Sequence, residues 1–114
     1  MKIAHIDGDP AFADRFKAMT PGVNITHFDC LGDFIDDNYD MVITGLSLRD
    51  GFGAETIDIL KNKTESPIFA LTSESSGVMS DESKNIILDE KRCLGVFIKD
   101  EATIDDMIMC LGNN

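Results

Sequence analysis

Tyr39-Asp40-Met41-Val42-Ile43-Thr44-Gly45-Leu46-Ser47-Leu48-Arg49-Asp50-Gly51-Phe52-Gly53 is the stretch on which the fold turns. Residues 41–44 form a continuous apolar and β-branched run, the pattern of a strand covered on both faces. A polar, glycine-rich turn follows. Gly53 then leads into residues 54–60, where Ile57 and Leu60 share one helical face.

The same strand–helix unit recurs on either side. Apolar runs of strand length stand at residues 2–6, 23–28, 67–72 and 94–98, and most are near-continuously apolar. Between them the spacing becomes helical. Asp9 is placed to cap a helix that has Pro10 at its first position, and Phe12, Phe16 and Met19 then share a face before Pro21-Gly22. A shorter helix is expected around residues 31–35, and another from Ser80 or Asp81 through Ile86, Ile87 and Lys91. A last helix is expected after Thr103, with Asp106 in a capping position and Ile104, Met107, Ile108 and Leu111 turned inward. Five such units predict right-handed crossovers and an α/β, flavodoxin-like (βα)5 three-layer sandwich. Its five-stranded parallel sheet would run in the order 2-1-3-4-5, with residues 1–114 as one domain. Ligands of such folds sit beyond the carboxyl ends of the strands, so function is sought there.

Composition narrows the classes. The 114 residues suffice for a domain with its own core, and 43% hydrophobic with 27% charged is an ordinary globular balance. Ten Lys and Arg against 21 Asp and Glu leave a formal charge of −11. That sign argues against nucleic acid or an anionic membrane as a direct partner, because no basic surface is available to displace counterions. No apolar run is long enough to span a bilayer, and the N-terminus does not read as a signal peptide. Cys30, Cys93 and Cys110, odd in number and widely spaced, read as buried thiols of a reducing compartment, so a cytoplasmic location is expected.

The strand ends read Ile6-Asp7-Gly8-Asp9-Pro10, then Thr44-Gly45, then Leu71-Thr72-Ser73, then Gly95-Val96-Phe97-Ile98-Lys99-Asp100. In this order and spacing the chain resembles, over essentially its full length, the CheY-like receiver domains of bacterial two-component signalling and phosphorelay. The resemblance implies roles residue by residue. Asp7 matches the first member of the acidic pair that holds Mg²⁺, and Gly8 stands where the second belongs. Gly45 occupies the position of the nucleophilic aspartate. Thr72 matches the hydroxyl residue that contacts the phosphoryl group, and Lys99 the lysine that pairs with its oxygens. Gly53 matches a family glycine. Arg49 and Asp100 replace two prolines, and Val96 replaces the aromatic switch residue, with Phe97 one place away.

These departures remove the chemistry. Phosphoryl transfer needs a carboxylate nucleophile and a metal that neutralises the equatorial oxygens, and glycine supplies no nucleophile. Magnesium wants several hard oxygen ligands, whereas here only Asp7, helped by Asp9, remains. Such a site holds the ion weakly if at all, so no cofactor and no catalytic residue is expected. Two readings explain the retained Asp7, Thr72 and Lys99. Lys99 either pairs with Asp7 and offsets the cost of a buried acid, or it still receives an anion or small ligand.

Other constellations are weaker. His5 and His27 fall on neighbouring strands but have no Cys or carboxylate at ligand spacing, so core histidines are expected. Asp7-Gly8-Asp9 with Asp50-Gly51 lacks the twelve-residue calcium-loop pattern, and an acidic first loop would repel a flavin phosphate. Asp50, in a Gly-rich turn, could be a displaced phosphoacceptor but suits turn geometry with Gly51. Ser47 and Ser73 are hydroxyl alternatives. The stretch Ser73 to Asp81 reads as a polar loop, with Val78 and Met79 keeping an interaction reading open.

The expectation is therefore an atypical, phosphorylation-independent pseudo-receiver that regulates or scaffolds by protein–protein contact. With no effector domain in these residues, output would pass through a partner: a sensor kinase, a true receiver, or a second copy in a homodimer. The alternative is a small-molecule sensor that binds a ligand near Lys99 in the vacated acidic pocket.

Overall fold

A computed structural model of the chain describes residues 1–72, 95–98 and 106–109. In chain order the elements are β1 (Lys2–Ile6), α1 (Pro10–Ala18), β2 (Asn24–Phe28), a single 3-10 turn (Leu31–Asp33), β3 (Met41–Gly45), β4 (Ser47–Leu48), β5 (Gly51–Phe52), α2 (Ala54–Lys61), β6 (Ile68–Thr72) and β7 (Gly95–Ile98). Residues 106–109 are helical. Five strands form one parallel sheet in the order β2-β1-β3-β6-β7, the predicted flavodoxin-like arrangement, while β4 and β5 form a separate antiparallel hairpin.

Strand periodicity divides the core between the two faces of the sheet. Ile3 of β1, Met41 and Ile43 of β3, and Phe69 and Leu71 of β6 pack with Phe12 and Phe16 of α1 and with Met107. The alternate residues, Ala4, Ile6, Val42, Ile68 and Ala70, pack with Leu31, Phe34, Tyr39 and with Ile57 and Leu60 of α2. Both faces being covered explains why β3 is buried along its whole length, whereas the edge strand β2 exposes Asn24 and Thr26. Each fully buried side chain of this kind stabilises by about 1.5–3 kcal/mol.

Helix α1 begins as predicted. Asp9 Oδ1 accepts from the amides of Ala11 at 3.1 Å and Phe12 at 3.3 Å, with Pro10 just inside the helix. It closes at Ala18, however, so Met19 is its C-cap and is 59% exposed instead of lying on the buried face with Phe12 and Phe16. Near the C-terminus, Met107 is fully buried but Ile108 is 38% exposed, so the inward face is narrower than expected. The expected helix at 80–91, the flanks of the last helix with Ile104 and Leu111, and Cys93 and Cys110 lie outside the described residues. Cys30 is a buried free thiol.

The largest departure is at residues 31–35, where no α-helix forms. The chain makes one 3-10 turn and leaves it at Phe34 in extended backbone (φ −67°, ψ 127°). Gly32 and the acids that follow have low helical propensity. Leaving the turn brings Phe34 beside Phe28 (ring centroids 5.3 Å) and Tyr39 (6.1 Å). This aromatic trio covers the sheet face where the helix was expected. Lys2 then fastens the segment, pairing with Asp37 and lying 5.1 Å over the Tyr39 ring.

Candidate functional site

The carboxyl ends of β1, β3 and β6 meet at Asp7, Gly45 and Thr72, because register pairs Ile6 with Thr44 and Gly45 with Leu71. Asp7 is only 3% exposed. Its amide donates to Phe28 O at 2.9 Å, and its Oδ1 accepts from the amide of Asp9 at 2.8 Å. A β-carbon built on Gly45 would lie 3.6 Å from Asp7 Oδ2, which is ordinary contact. One built on Gly8 would meet only the carbonyl of Asp29, at 3.7 Å. Neither glycine has a positive φ. Neither backbone conformation nor close packing therefore demands glycine at these two positions.

The ligand set expected of a receiver's Mg²⁺ does not fit what is present. Asp9, the weaker candidate ligand, uses its Oδ1 to cap the N-terminus of α1. Gly8 and Gly45 contribute no side-chain oxygen, which leaves Asp7. Among the described residues no group of three or more His, Cys, Asp or Glu is disposed to hold a metal ion. The Thr72 and Val96 side chains and the whole of Lys99 and Asp100 lie outside the described residues. Phe97, beside the switch position, is half-buried against Phe69, with ring centroids 6.0 Å apart.

Of the two histidines, His5 is the core residue expected and His27 is not. His5 and His27 face one another in the β1–β2 register, with ring centroids 5.9 Å apart. His5 is fully buried against Phe12 and Phe16, and its Nε2 lies 3.7 Å from Asp7 Oδ2. A carboxylate does stand beside it. His27 is not a core residue: it is half-buried, and its Nε2–H donates to the backbone carbonyl of Asp7 at 2.8 Å. The sequence reading placed no carboxylate beside these histidines, and no local pattern signals that His27 reaches Asp7 from the next strand.

Beyond Gly45 the chain doubles back in the β4–β5 hairpin, with Arg49 and Asp50 at its turn. Asp50 does more than shape that turn. Its carboxylate accepts from the amides of Leu31 at 3.0 Å and Gly32 at 2.9 Å, so it caps the 3-10 turn from nineteen positions along the chain. Desolvation opposes ionisation of Asp50, but the Gly32 and Leu31 amides outweigh it and hold the carboxyl below its ordinary range. Arg49 does not fill the vacated pocket: it is exposed, and its Nη2 donates to Cys30 Sγ at 3.2 Å with Asp33 at 3.9 Å. The Cys30 sulfur, and after it Asp33, raises the guanidinium pKa further. Gly53, at φ 62° and ψ −138°, makes the entry to α2 in a conformation that side chains resist.

Comparison with solved structures places this architecture. A two-component response regulator from Clostridium difficile superposes with a TM-score of 0.77 at 22% identity, over 99% of this chain and 93% of that one. The receiver domain of Francisella response regulator 1452 gives 0.76 at 20% identity, over 98% and 93%. A CheY-like receiver domain protein from Methanospirillum hungatei gives 0.73 at 16%, over 98% and 90%. No family model and no curated protein sequence matches the chain. The fold is that of the response-regulator receiver domains, as the strand-end residues had implied.

Proposed function

We propose that the chain is a pseudo-receiver of two-component-type signalling: not an enzyme, but a module that regulates or adapts by protein–protein contact without taking up a phosphoryl group. The observation that carries this reading is Gly45 at the end of β3, beside a buried Asp7. There the nucleophile is missing and one metal-binding carboxylate is left. Partners consistent with the fold are a sensor kinase, another receiver, or a second copy. A cytoplasmic setting suits such a module, and among the described residues no helix is long and apolar enough to cross a membrane. The test is incubation with acetyl phosphate and Mg²⁺ followed by intact-mass measurement. An unchanged mass is expected, and the addition of one phosphoryl group overturns the proposal.

A second reading has its own observation. A β-carbon at Gly8 or Gly45 would meet nothing nearer than 3.7 and 3.6 Å, so the lost side chains leave room beside Asp7. A small ligand held there by Lys99 would raise the melting temperature by mass action. The shift would vanish in Lys99→Ala, and its persistence in that variant excludes this reading.

A further inference from the structure

Ile35 is 73% exposed and Phe52 64% exposed, although both are carried by well-anchored backbone. Phe34 is buried in the aromatic trio, so Ile35, next in extended backbone, faces the other way. Gly51 is buried so closely that a β-carbon on it would fall 2.6 Å from Leu31 Cδ1, and Phe52, next on β5, therefore faces out. The Asp50 carboxylate on the amides of Leu31 and Gly32, and Lys63 Nζ on the Leu31 carbonyl at 2.8 Å, tie the 3-10 turn, the hairpin and α2 into one body. Those ties keep Ile35 and Phe52 within about 25 Å, a span bridged by roughly seventeen residues of helix.

The body is acidic. Residues 29–63 contain seven Asp and one Glu against one Arg and two Lys. Asp33, Asp36 and Asp37 flank Ile35 and are all exposed; Asp36 accepts from Thr64, Asp37 pairs with Lys2, and Asp33 lies 3.9 Å from Arg49, so a partner's cations would add to or displace these surface pairs. An apolar pair set among fixed carboxylates is complementary to a cationic amphipathic surface. It disfavours nucleic acid and anionic lipid, and like charge opposes a second copy docking through this same surface.

We propose that the 3-10 turn and the β4–β5 hairpin form a docking surface for a basic amphipathic segment of a partner protein. Its apolar residues would cover Ile35 and Phe52, and its Lys or Arg residues would meet Asp33, Asp36 and Asp37. This deepens the reading of the chain as a binding module by naming the partner's chemistry.

The test uses the whole chain and a labelled eighteen-residue peptide of repeating Leu-Lys-Lys-Leu, read by fluorescence anisotropy. The expected result is saturable binding that weakens at least tenfold in the double variant Ile35→Ser, Phe52→Ser and is unchanged in Met19→Ser, an exposed apolar residue elsewhere. It should also weaken tenfold or more as salt rises from 50 to 500 mM. The same peptide with Glu for Lys should not bind. No binding, equal binding by the double variant, or equal binding by oligo-lysine overturns the proposal. So does a dimer, seen by sedimentation, that the double variant dissolves. Phosphoryl uptake from acetyl phosphate would overturn the pseudo-receiver reading alone, so the two failures are distinguishable.

Discussion

Asp7 Oδ2 lies 3.6 Å from the point at which Gly45 would carry a β-carbon and 3.7 Å from Nε2 of His5, on the strand that ends just before it. A carboxylate added at position 45 would therefore fit sterically and clash electrostatically. Gly45→Ala should leave the protein folded and as stable or up to about 1 kcal/mol more so, since glycine inside a strand is entropically costly. Gly45→Asp should cost about 1–3 kcal/mol at pH 7 because two buried carboxylates cannot both ionise cheaply. The deficit should shrink on acidification. Urea unfolding at pH 7 and pH 5 distinguishes the two variants.

Divalent metal should reverse that penalty only when the ligand set is rebuilt. In Gly8→Asp, Gly45→Asp, millimolar Mg²⁺ should raise the melting temperature by several degrees, while the parent chain should respond weakly or not at all. Equal responses from the two proteins would mean that the parent already holds the ion.

Asp50→Ala removes the cap on Leu31 and Gly32 and should destabilise by about 1 kcal/mol, within the range for a lost N-cap at a solvent-exposed site. Because its folded-state pKa is lowered, the contribution is fully present above its ordinary value near 3.8. It is lost as pH falls through the lower folded value. The stability gap between parent and variant should thus be flat from pH 7 to 5 and close only below about pH 4.

Gly51→Ala drives a methyl to 2.6 Å from Leu31 Cδ1 and 3.1 Å from Thr56 Oγ1. Leu31 is 2% exposed and cannot swing away, so a loss of about 1–3 kcal/mol is expected. In a Leu31→Ala background the added methyl should cost much less, and a double-mutant cycle reads the coupling.

Phe34→Ala opens the trio that replaces a helix over the sheet and should cost about 3–5 kcal/mol. A loss below about 1 kcal/mol would mean that Phe28 and Tyr39 cover that face unaided.

Much of the architecture was legible because periodicity is a local property. Near-continuous apolar runs marked strands covered on both faces, and Asp9-Pro10 marked a helix start, since these signals act within a few residues. The glycine at position 45 was equally plain, since the identity of a residue needs no tertiary contact to read. The aborted helix after Leu31 was not legible, because Phe34 gains more by packing on Phe28 and Tyr39 than one more helical turn would return. The exposure of Met19 and Ile108 depended on where each helix stops, a matter of a residue or two that helical spacing does not resolve.

By itself, then, the sequence determined the strand runs, the parallel sheet they build and the glycine at position 45, each encoded in adjacent residues. Tertiary structure alone decided that Asp50 caps a turn nineteen residues earlier, that His5 lies beside Asp7 while His27 holds its carbonyl, and that Ile35 and Phe52 stand on one acidic body. Those relationships arise from side-chain reach across a closed sheet and a packed hairpin. They have no local period to read until the chain has folded.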